Sequence, residues 1–394
     1  TKTLQDQVMD KDVPQLRQML QLSESDFKIT RLVGSNNHLC ELLFRDDQDQ
    51  KNLLDQASFS AAYTRAYFDM LFFHNEEAPY AKKITREQVP FILKKLVPDV
   101  RERDEELAVD YRACVGSQCP FVLNCSYVQG LREAKEAQLI VGNHAMLLAW
   151  PRSFPRPAHV VVDEAHKIEG EATRAFAVEV SDRSVEALLK VQQQGVGALL
   201  YLLSTGPETP ALQDEFARLR DAGQFAARMA RDHVTPLMQV LESLFKKLPN
   251  YHPVHTNEAP FPSKERANDA LTIQLLNHLE SLHQIWGDLY SQLMPHFERW
   301  QKKDFDDDKN KMKAWALFES FWGQLEKHVM GLSHFLKPPA LWVTALKFSE
   351  ENGWQIESAP IDVGLTLHKG LLESATSVVY TSATLANDKG DAGT

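Results

Sequence analysis

The chain has 394 residues, 43% hydrophobic and 25% charged, with a formal net charge of −11. This is globular composition, long enough for two or three domains, and its acidity excludes a generally basic nucleic-acid coat while leaving room for a local basic groove. Only four cysteines occur, three of them within twelve residues, which excludes a cysteine-dense secreted disulfide scaffold and favours a reducing, cytoplasmic compartment. No apolar run is long enough to cross a bilayer and no secretory leader is recognisable, so no membrane partner is expected. The first residue is Thr1 rather than Met, which reads as a piece of a longer protein.

Residues 1–34 read as a helix followed by a strand. Leu4, Val8, Leu16 and Leu20 give a rough helical face, and Phe27 to Val33 alternate as a strand. From Ser35 to about Ala134 the pattern turns helical and charged, with a cysteine near either end. Cys114 and Cys119 have four residues between them, Cys119 and Cys125 five, and Cys40 and Cys114 have 73. Zinc ribbons show two short paired units, whereas three clustered thiols and one remote one suit a cubane iron–sulfur cluster held by four thiolates. Structural zinc and unligated core cysteines are the alternatives. Such a cluster would pin a distant segment to a local loop, so its first role would be to fold this region. Lys82, Lys83, Arg86, Lys94, Lys95, Arg101 and Arg103 surround the cysteines. They could track a DNA backbone or simply line a solvated helix face. Arg132 and Lys135, one or two turns past Cys125, are the better candidates for DNA contact.

Gln138–Val141 and His159–Val162 read as short buried strands of a parallel sheet. The second runs straight into Asp163-Glu164-Ala165-His166. An Asp at the C-terminal edge of a strand can hold Mg²⁺ on a nucleotide's phosphates, and an adjacent Glu can orient and deprotonate the attacking water. The plainer alternative is a polar strand end that caps the next helix. A given tetrapeptide turns up by chance in roughly one chain in 400 of this length, so the preceding valine run matters to the argument.

From about Arg174 to Pro338 amphipathic helices take over. Leu271, Leu275, Leu279, Leu282, Trp286 and Leu289 keep a four-then-three spacing, and Leu212, Phe216, Leu219 and Ala226 behave similarly. Pro249 to Pro262 reads as a loop, Asp304 to Lys311 as a solvated charged patch, and the whole stretch as an all-helical insertion. After Pro339, Leu341–Thr344 and Trp354–Glu357 are expected to pair as a hairpin. Ser377–Tyr380 is a further apolar strand, running into Thr381-Ser382-Ala383-Thr384. Hydroxyls there can hydrogen-bond an acidic cluster, although Ser and Thr at strand ends are commonly turn formers. A phosphate-binding loop needs Gly-Lys followed by Ser or Thr, and no Gly in this chain is followed by Lys. The 394 residues alone are therefore expected not to hydrolyse ATP at a useful rate. The architecture expected from these elements is one α/β domain carrying two insertions.

These motifs together resemble the DinG/XPD family of superfamily-two iron–sulfur DNA helicases, and within it the bacterial DinG branch, including the YoaA-type enzymes. Thr1-Lys-Thr-Leu-Gln-Asp-Gln7 resembles motif Ia, Cys40, Cys114, Cys119 and Cys125 match the four cluster ligands, and Asp163–His166 and Thr381–Thr384 resemble motifs II and III. Gln138–His144 and Pro360–Val363 are also similar to family segments.

The resemblance implies a partial RecA-like motor domain in three pieces, 1–35, 136–175 and 339–394, with an iron–sulfur domain at 36–135 and an all-helical arch at 176–338. It implies an ATP-dependent 5′→3′ DNA helicase of DNA repair or replication stress, with a 4Fe–4S cluster, Mg²⁺ and ATP. It would act on single-stranded or forked DNA as a monomer in the bacterial, nucleoid-associated cytoplasm. Asp163 would position Mg²⁺ and Glu164 would activate water. His166, Ser382 and Thr384 would link phosphate state to DNA grip, and Thr1, Thr3 and Gln7 would touch the DNA backbone. Motifs Q and I before Thr1 and a second motor domain after Thr394 would be missing, and Asp388–Thr394 would be a loose tail. The alternatives are a non-catalytic iron–sulfur DNA-binding or redox-sensing module, and a zinc-stabilised interaction scaffold.

Overall fold

The structure, a computed structural model, describes residues 5, 7–23, 25–45, 59–77, 84–111, 114–116, 119–150, 154, 156–205, 210–252, 255–262, 269–300, 302–305, 308–350, 353–369, 373 and 375–382. Two compact units divide the chain, Thr1–Arg156 and Pro157–Thr394. None of the described helices is long and apolar enough to cross a membrane.

In the first unit, helix α1 (Val13–Leu20) precedes strand β1 (Ile29–Arg31). Helices α2 (Phe59–Glu77), α3 (Phe91–Leu96), α4 (Pro98–Glu106) and α5 (Ser126–Glu136) follow, then strand β2 (Leu139–Val141) and helix α6 (His144–Leu148). Strands β1 and β2 pair in parallel, Ile29 opposite Leu139 and Arg31 opposite Val141. Parallel neighbours require a crossover, and here the crossover is the whole cysteine-bearing region. That region has its own core. Phe68 and Phe72, one turn apart on α2, bury their rings with Phe44, Leu39, Ile84, Val89, Val100 and Leu107. A second, smaller core of Leu32, Ala134 and Phe154 seats α5 beside the two strands.

The charged residues between these helices are arranged with less freedom than a solvated face would have. Asp104 on α4 is 1% exposed. Its Oδ2 accepts from Arg86 Nε at 3.0 Å, Arg86 Nη2 at 2.7 Å and Lys94 Nζ at 2.7 Å. Arg86 also donates to the Asn36 carbonyl at 3.1 Å, and Lys94 to the Arg86 carbonyl at 3.1 Å. Arg103 lies over the Phe44 ring and pairs with Glu106. Three of the cations that could have tracked DNA are thus committed to holding the helices together. Lys82 and Lys83 lie outside the described residues.

The second unit opens with β3 (His159–Val162), α7 (Ile168–Phe176) and β4 (Val178–Ser181). Four long helices and a short strand come next: α8 (Asp182–Ser204), α9 (Pro210–Lys246), β5 (Asn257–Pro260), α10 (Ala270–Arg299) and α11 (Lys309–Leu336). Strands β6 (Trp342–Ser349), β7 (Gly353–Pro360) and β8 (Ser377–Tyr380) complete the unit. On α10 the expected stripe is the buried one: Leu275, Leu279, Leu282, Trp286 and Leu289 are all inside. The hairpin expected near 341–357 is present and longer, with β6 and β7 paired from Trp342↔Pro360 to Ser349↔Gly353.

The region 176–338 departs from the all-helical insertion that the sequence pattern predicts. It contributes β4 and β5 to a four-stranded antiparallel sheet of order β4-β7-β6-β5. Strand β5 falls inside the stretch expected to be a loop, and its composition explains why it escapes notice. It ends in Pro260 and tolerates that residue because it is an edge strand, where a missing N–H need not break a ladder. Its register is held by the Asn257 side chain, whose Nδ2 donates to the carbonyls of His252, His255 and Phe348. The charged patch at 304–311 is likewise partly structural: Asp308 caps α11 by accepting from the backbone N–H groups of Asn310 and Lys311. The expected tail at 388–394 lies outside the described residues.

Helices α8 and α11 approach closely where α8 carries Gly195. A Cβ there would stand 2.3 Å from Phe321 Cβ, and Phe321 is fully buried. Gly195→Ala is expected to lower stability by about 1–3 kcal/mol, because the ring has no room to retreat. Urea denaturation of the variant checks this, and an unchanged midpoint would show that the helices can part at no cost.

Candidate active site and thiol pocket

Strand β3 buries Val160 and Val162 and exposes Val161. It runs parallel to β8, with Val162 opposite Tyr380. This register brings the residues that follow the two strands side by side, although 218 positions separate them in sequence. Backbone and side-chain hydrogen bonds stitch the two ends. Thr381 N–H donates to the Val162 carbonyl at 2.9 Å, and Ala165 N–H to the Thr381 carbonyl at 3.0 Å. The Thr381 hydroxyl donates to Asp163 Oδ1 at 2.7 Å. Asp163 Oδ1 also accepts from the Glu164 N–H at 2.9 Å.

Glu164 adopts a left-handed conformation, φ 50° and ψ 42°. For a residue with a Cβ this costs about 1–2 kcal/mol and persists only where neighbours hold it. The bonds of Ala165 to Thr381 and of Lys167 N–H to the Glu164 carbonyl, at 2.9 Å, do so. The turn lets the Glu164 side chain meet His166: Nδ1 of His166 lies 3.2 Å from Glu164 Oε2 and 2.7 Å from Ser382 Oγ. A carboxylate only accepts, so the proton belongs on Nδ1, shared between Glu164 and the Ser382 oxygen. Asp163 and His166 are exposed and Glu164 is half-buried, so the cluster opens to solvent. A hard carboxylate donor fixed at a strand end, with a second carboxylate beside it, matches what Mg²⁺ on a nucleotide requires of a protein.

Four of the five expected catalytic residues, Asp163, Glu164, His166 and Ser382, are therefore brought together. Thr384 lies outside the described residues. Thr381, the first residue of the second motif and absent from the expected set, is the one whose hydroxyl reaches Asp163. Its signal was its place directly after an apolar strand, the same place that Asp163 holds after β3. Of the expected DNA contacts, Gln7 is exposed near the first described turn, and Arg132 and Lys135 are exposed three residues apart on α5. The Lys135 ammonium lies 5.9 Å from the centre of the Phe154 ring. Thr1 and Thr3 lie outside the described residues.

All four cysteines line a single pocket, together with Leu39, Ile84, Val109 and Phe121. Cys40 is carried there by short bridges of its segment: Leu39 pairs with Ala108, and Cys40 N–H donates to the Leu107 carbonyl at 2.8 Å. Gly116, at φ 61°, turns the loop so that its N–H points at Cys114 Sγ, 3.4 Å away. Cys125 occupies the N-cap of α5. Burial pushes the Cys40 thiol up to about 12, and the other three cysteines push it the same way. Burial also raises Cys119 and Cys125, against backbone N–H groups that favour their thiolates. No three His, Cys, Asp or Glu among the described residues are grouped as they would be around one metal ion.

A staple that sequence spacing does not reveal closes the pocket from behind. The Ser126 hydroxyl donates to the Ile84 carbonyl at 2.6 Å and accepts from His38 Nδ1 at 2.8 Å. Having spent its proton on Ile84, the hydroxyl can only accept, which places a proton on His38 Nδ1. Both side chains are buried, two residues before Cys40 and one after Cys125.

No family model matches the chain. It is similar to the ATP-dependent DNA helicase DinG of Salmonella typhimurium, 25% identical over 191 residues, covering 44% of this chain and 24% of that protein. It is similar to DinG of Escherichia coli, 26% identical over 189 residues with the same coverages. With the ATP-dependent helicase DinG of Mycobacterium tuberculosis it shares 27% identity over 201 residues, 47% of this chain and 28% of that one. The chain thus spans about a quarter of the length of the curated relatives it matches. Its relationship to the DinG helicases is distant, and it is the relationship these alignments support.

Proposed function

We propose that the chain is a segment of an ATP-dependent DNA helicase: most of a first motor domain, with an iron–sulfur insertion and a largely helical arch. The observation that carries this is the joining of the two motifs. Asp163 with Thr381, and His166 with Ser382, are bonded across the ends of parallel strands. Motifs that matched by chance would have no reason to meet.

When bound, Mg²⁺ would neutralise charge on the nucleotide phosphates. Asp163 holds the ion's place, and Glu164 orients and takes the proton of the attacking water. His166 bridges Glu164 to Ser382, so a shift of β8 is felt at the base, and Thr384 belongs to the same link. Thr1, Thr3, Gln7, Arg132 and Lys135 meet the backbone of single-stranded or forked DNA, with 5′→3′ movement in repair or replication stress. The protein works as a monomer in the bacterial cytoplasm at the nucleoid.

Cys40, Cys114, Cys119 and Cys125 hold a 4Fe–4S cluster. A single tetrahedral zinc, with Zn–S bonds of about 2.3 Å, would draw its sulfurs into one tight group. A cubane spreads four thiolates over four irons. Three clustered cysteines and one remote one, all lining one pocket, favour the second arrangement. Cys40→Ser is expected to abolish the broad visible absorption and the iron content of anaerobically purified protein. A colourless wild-type protein with stoichiometric zinc would instead make the region a zinc-stabilised scaffold.

DNA-stimulated ATP hydrolysis by the complete helicase tests the main proposal, and its absence would overturn it. A second reading, a non-catalytic iron–sulfur module that binds DNA or senses redox state, is favoured for the 394 residues themselves by their lack of any Gly-Lys pair. The isolated chain is expected to bind single-stranded DNA in a salt-dependent manner without turning over ATP.

A further inference from the structure

We propose that Glu41 sets the reduction potential of the thiol-bound centre, its buried charge holding that centre in the oxidised state. The inference rests on the reading of Cys40, Cys114, Cys119 and Cys125 as ligands of a 4Fe–4S cluster. An oxidised cluster with four thiolates is already an anion, and a one-electron reduction adds a further negative charge. A fixed carboxylate nearby opposes that electron. Glu41 follows Cys40 directly, lines the thiol pocket and is 7% exposed. A carboxylate so buried stays ionised where a cation answers it. Arg45 does so, its Nε and Nη2 donating to Glu41 Oε1 at 3.3 Å and 3.2 Å. The two charges are not equal in their effect on the pocket. Arg45 reaches partly into solvent and also donates its Nη1 to Asp69 Oδ1 at 3.1 Å. One cation thus serves two carboxylates, and water screens it more than it screens Glu41. No Lys or Arg is among the described residues lining the pocket, and the other acid there, Asp110, is more exposed than Glu41. The Glu41 charge is felt at Cys119 and Cys125, where it opposes further negative charge.

The test is a mediated redox titration of the complete helicase, purified anaerobically, with the reduced cluster read by electron paramagnetic resonance. Each cluster accepts one electron, and the dithionite that supplies it is oxidised to sulfite. Glu41→Gln keeps the shape and an acceptor oxygen for Arg45 and removes the charge. At a fixed potential it is expected to raise the ratio of reduced to oxidised cluster about tenfold, an upward shift of about 59 mV for a one-electron couple. Iron content and visible absorption are expected to stay at wild-type values. Glu41→Asp keeps the charge and is expected to stay within about twofold of wild type. Asp69→Asn removes the outer, solvent-screened carboxylate and is expected to change the ratio by about twofold or less. A wild-type potential in Glu41→Gln would overturn the proposal, as would a shift of the same size in Glu41→Asp or in Asp69→Asn. A Glu41→Gln protein that holds no cluster would make Glu41 a folding residue and overturn it too. A wild-type protein without broad visible absorption, read before any titration, would overturn the iron–sulfur reading itself.

Discussion

Glu164→Gln in the complete helicase is expected to cut ATP hydrolysis about 100- to 10,000-fold, the range a positioned general base contributes, and to leave nucleotide binding largely intact. The substitution isolates the chemistry because it disturbs so little else. The left-handed backbone at Glu164 is held by main-chain bonds from Ala165 and Lys167, neither of which involves its side chain. A glutamine oxygen can still accept from His166 Nδ1, now 3.2 Å from Oε2, so the link to Ser382 survives. What disappears is the ability to take a proton. Steady-state ATPase assays with nucleotide-binding measurements on the same preparation check this. Near-normal turnover would remove Glu164 from the reaction and leave the motif as a helix cap.

Asp104→Ala is expected to be the most damaging single change in the cysteine-bearing region, at about 3–5 kcal/mol. The cost comes from what is left behind. Arg86 and Lys94 keep about a quarter of their side-chain surface exposed, while the carboxylate they share is 1% exposed. Without it, two cations face each other in a half-buried space, and the ties from Arg86 to the Asn36 carbonyl and from Lys94 to the Arg86 carbonyl lose their anchor. Residue 36 lies four positions before Cys40, so the damage should reach the thiol pocket. Faster hydrogen exchange across 84–107, together with a lower iron content, is the expected result. Unchanged exchange protection in this stretch would show that the network is peripheral.

Several features were legible locally because their periods are short. The valine run of β3, the four-then-three stripe of α10 and the cluster Cys114–Cys119–Cys125 each lie within a short window, although Val161 is exposed where a strand buried on both faces is expected. Residues whose partners lie far away carry no local mark of their role. Arg86 and Lys94 read as part of a basic track, since nothing nearby marks Asp104 as their common acceptor. Asn257 and Pro260 read as loop residues, since only the neighbouring strand β6 makes them the start and end of an edge strand. Nothing local sets Thr381 before Ser382 and Thr384, because a hydroxyl's target depends on which strand lies beside it.

The sequence by itself determined which chemistry is carried: an acid pair at a strand end, hydroxyls at another, four thiols in two separated groups, and the elements that bear them. These follow from residue type and from periodicities of two and 3.6, which the backbone enforces one turn or one pleat at a time. Only the tertiary structure decided the pairings: β3 against β8 with Thr381 on Asp163, the left-handed turn that faces Glu164 to His166, the Ser126–His38 staple behind the thiols, and Asp104 between its two cations. Such contacts close loops of tens to hundreds of residues. Loop closure costs entropy that no local propensity reveals and that only the assembled core offsets.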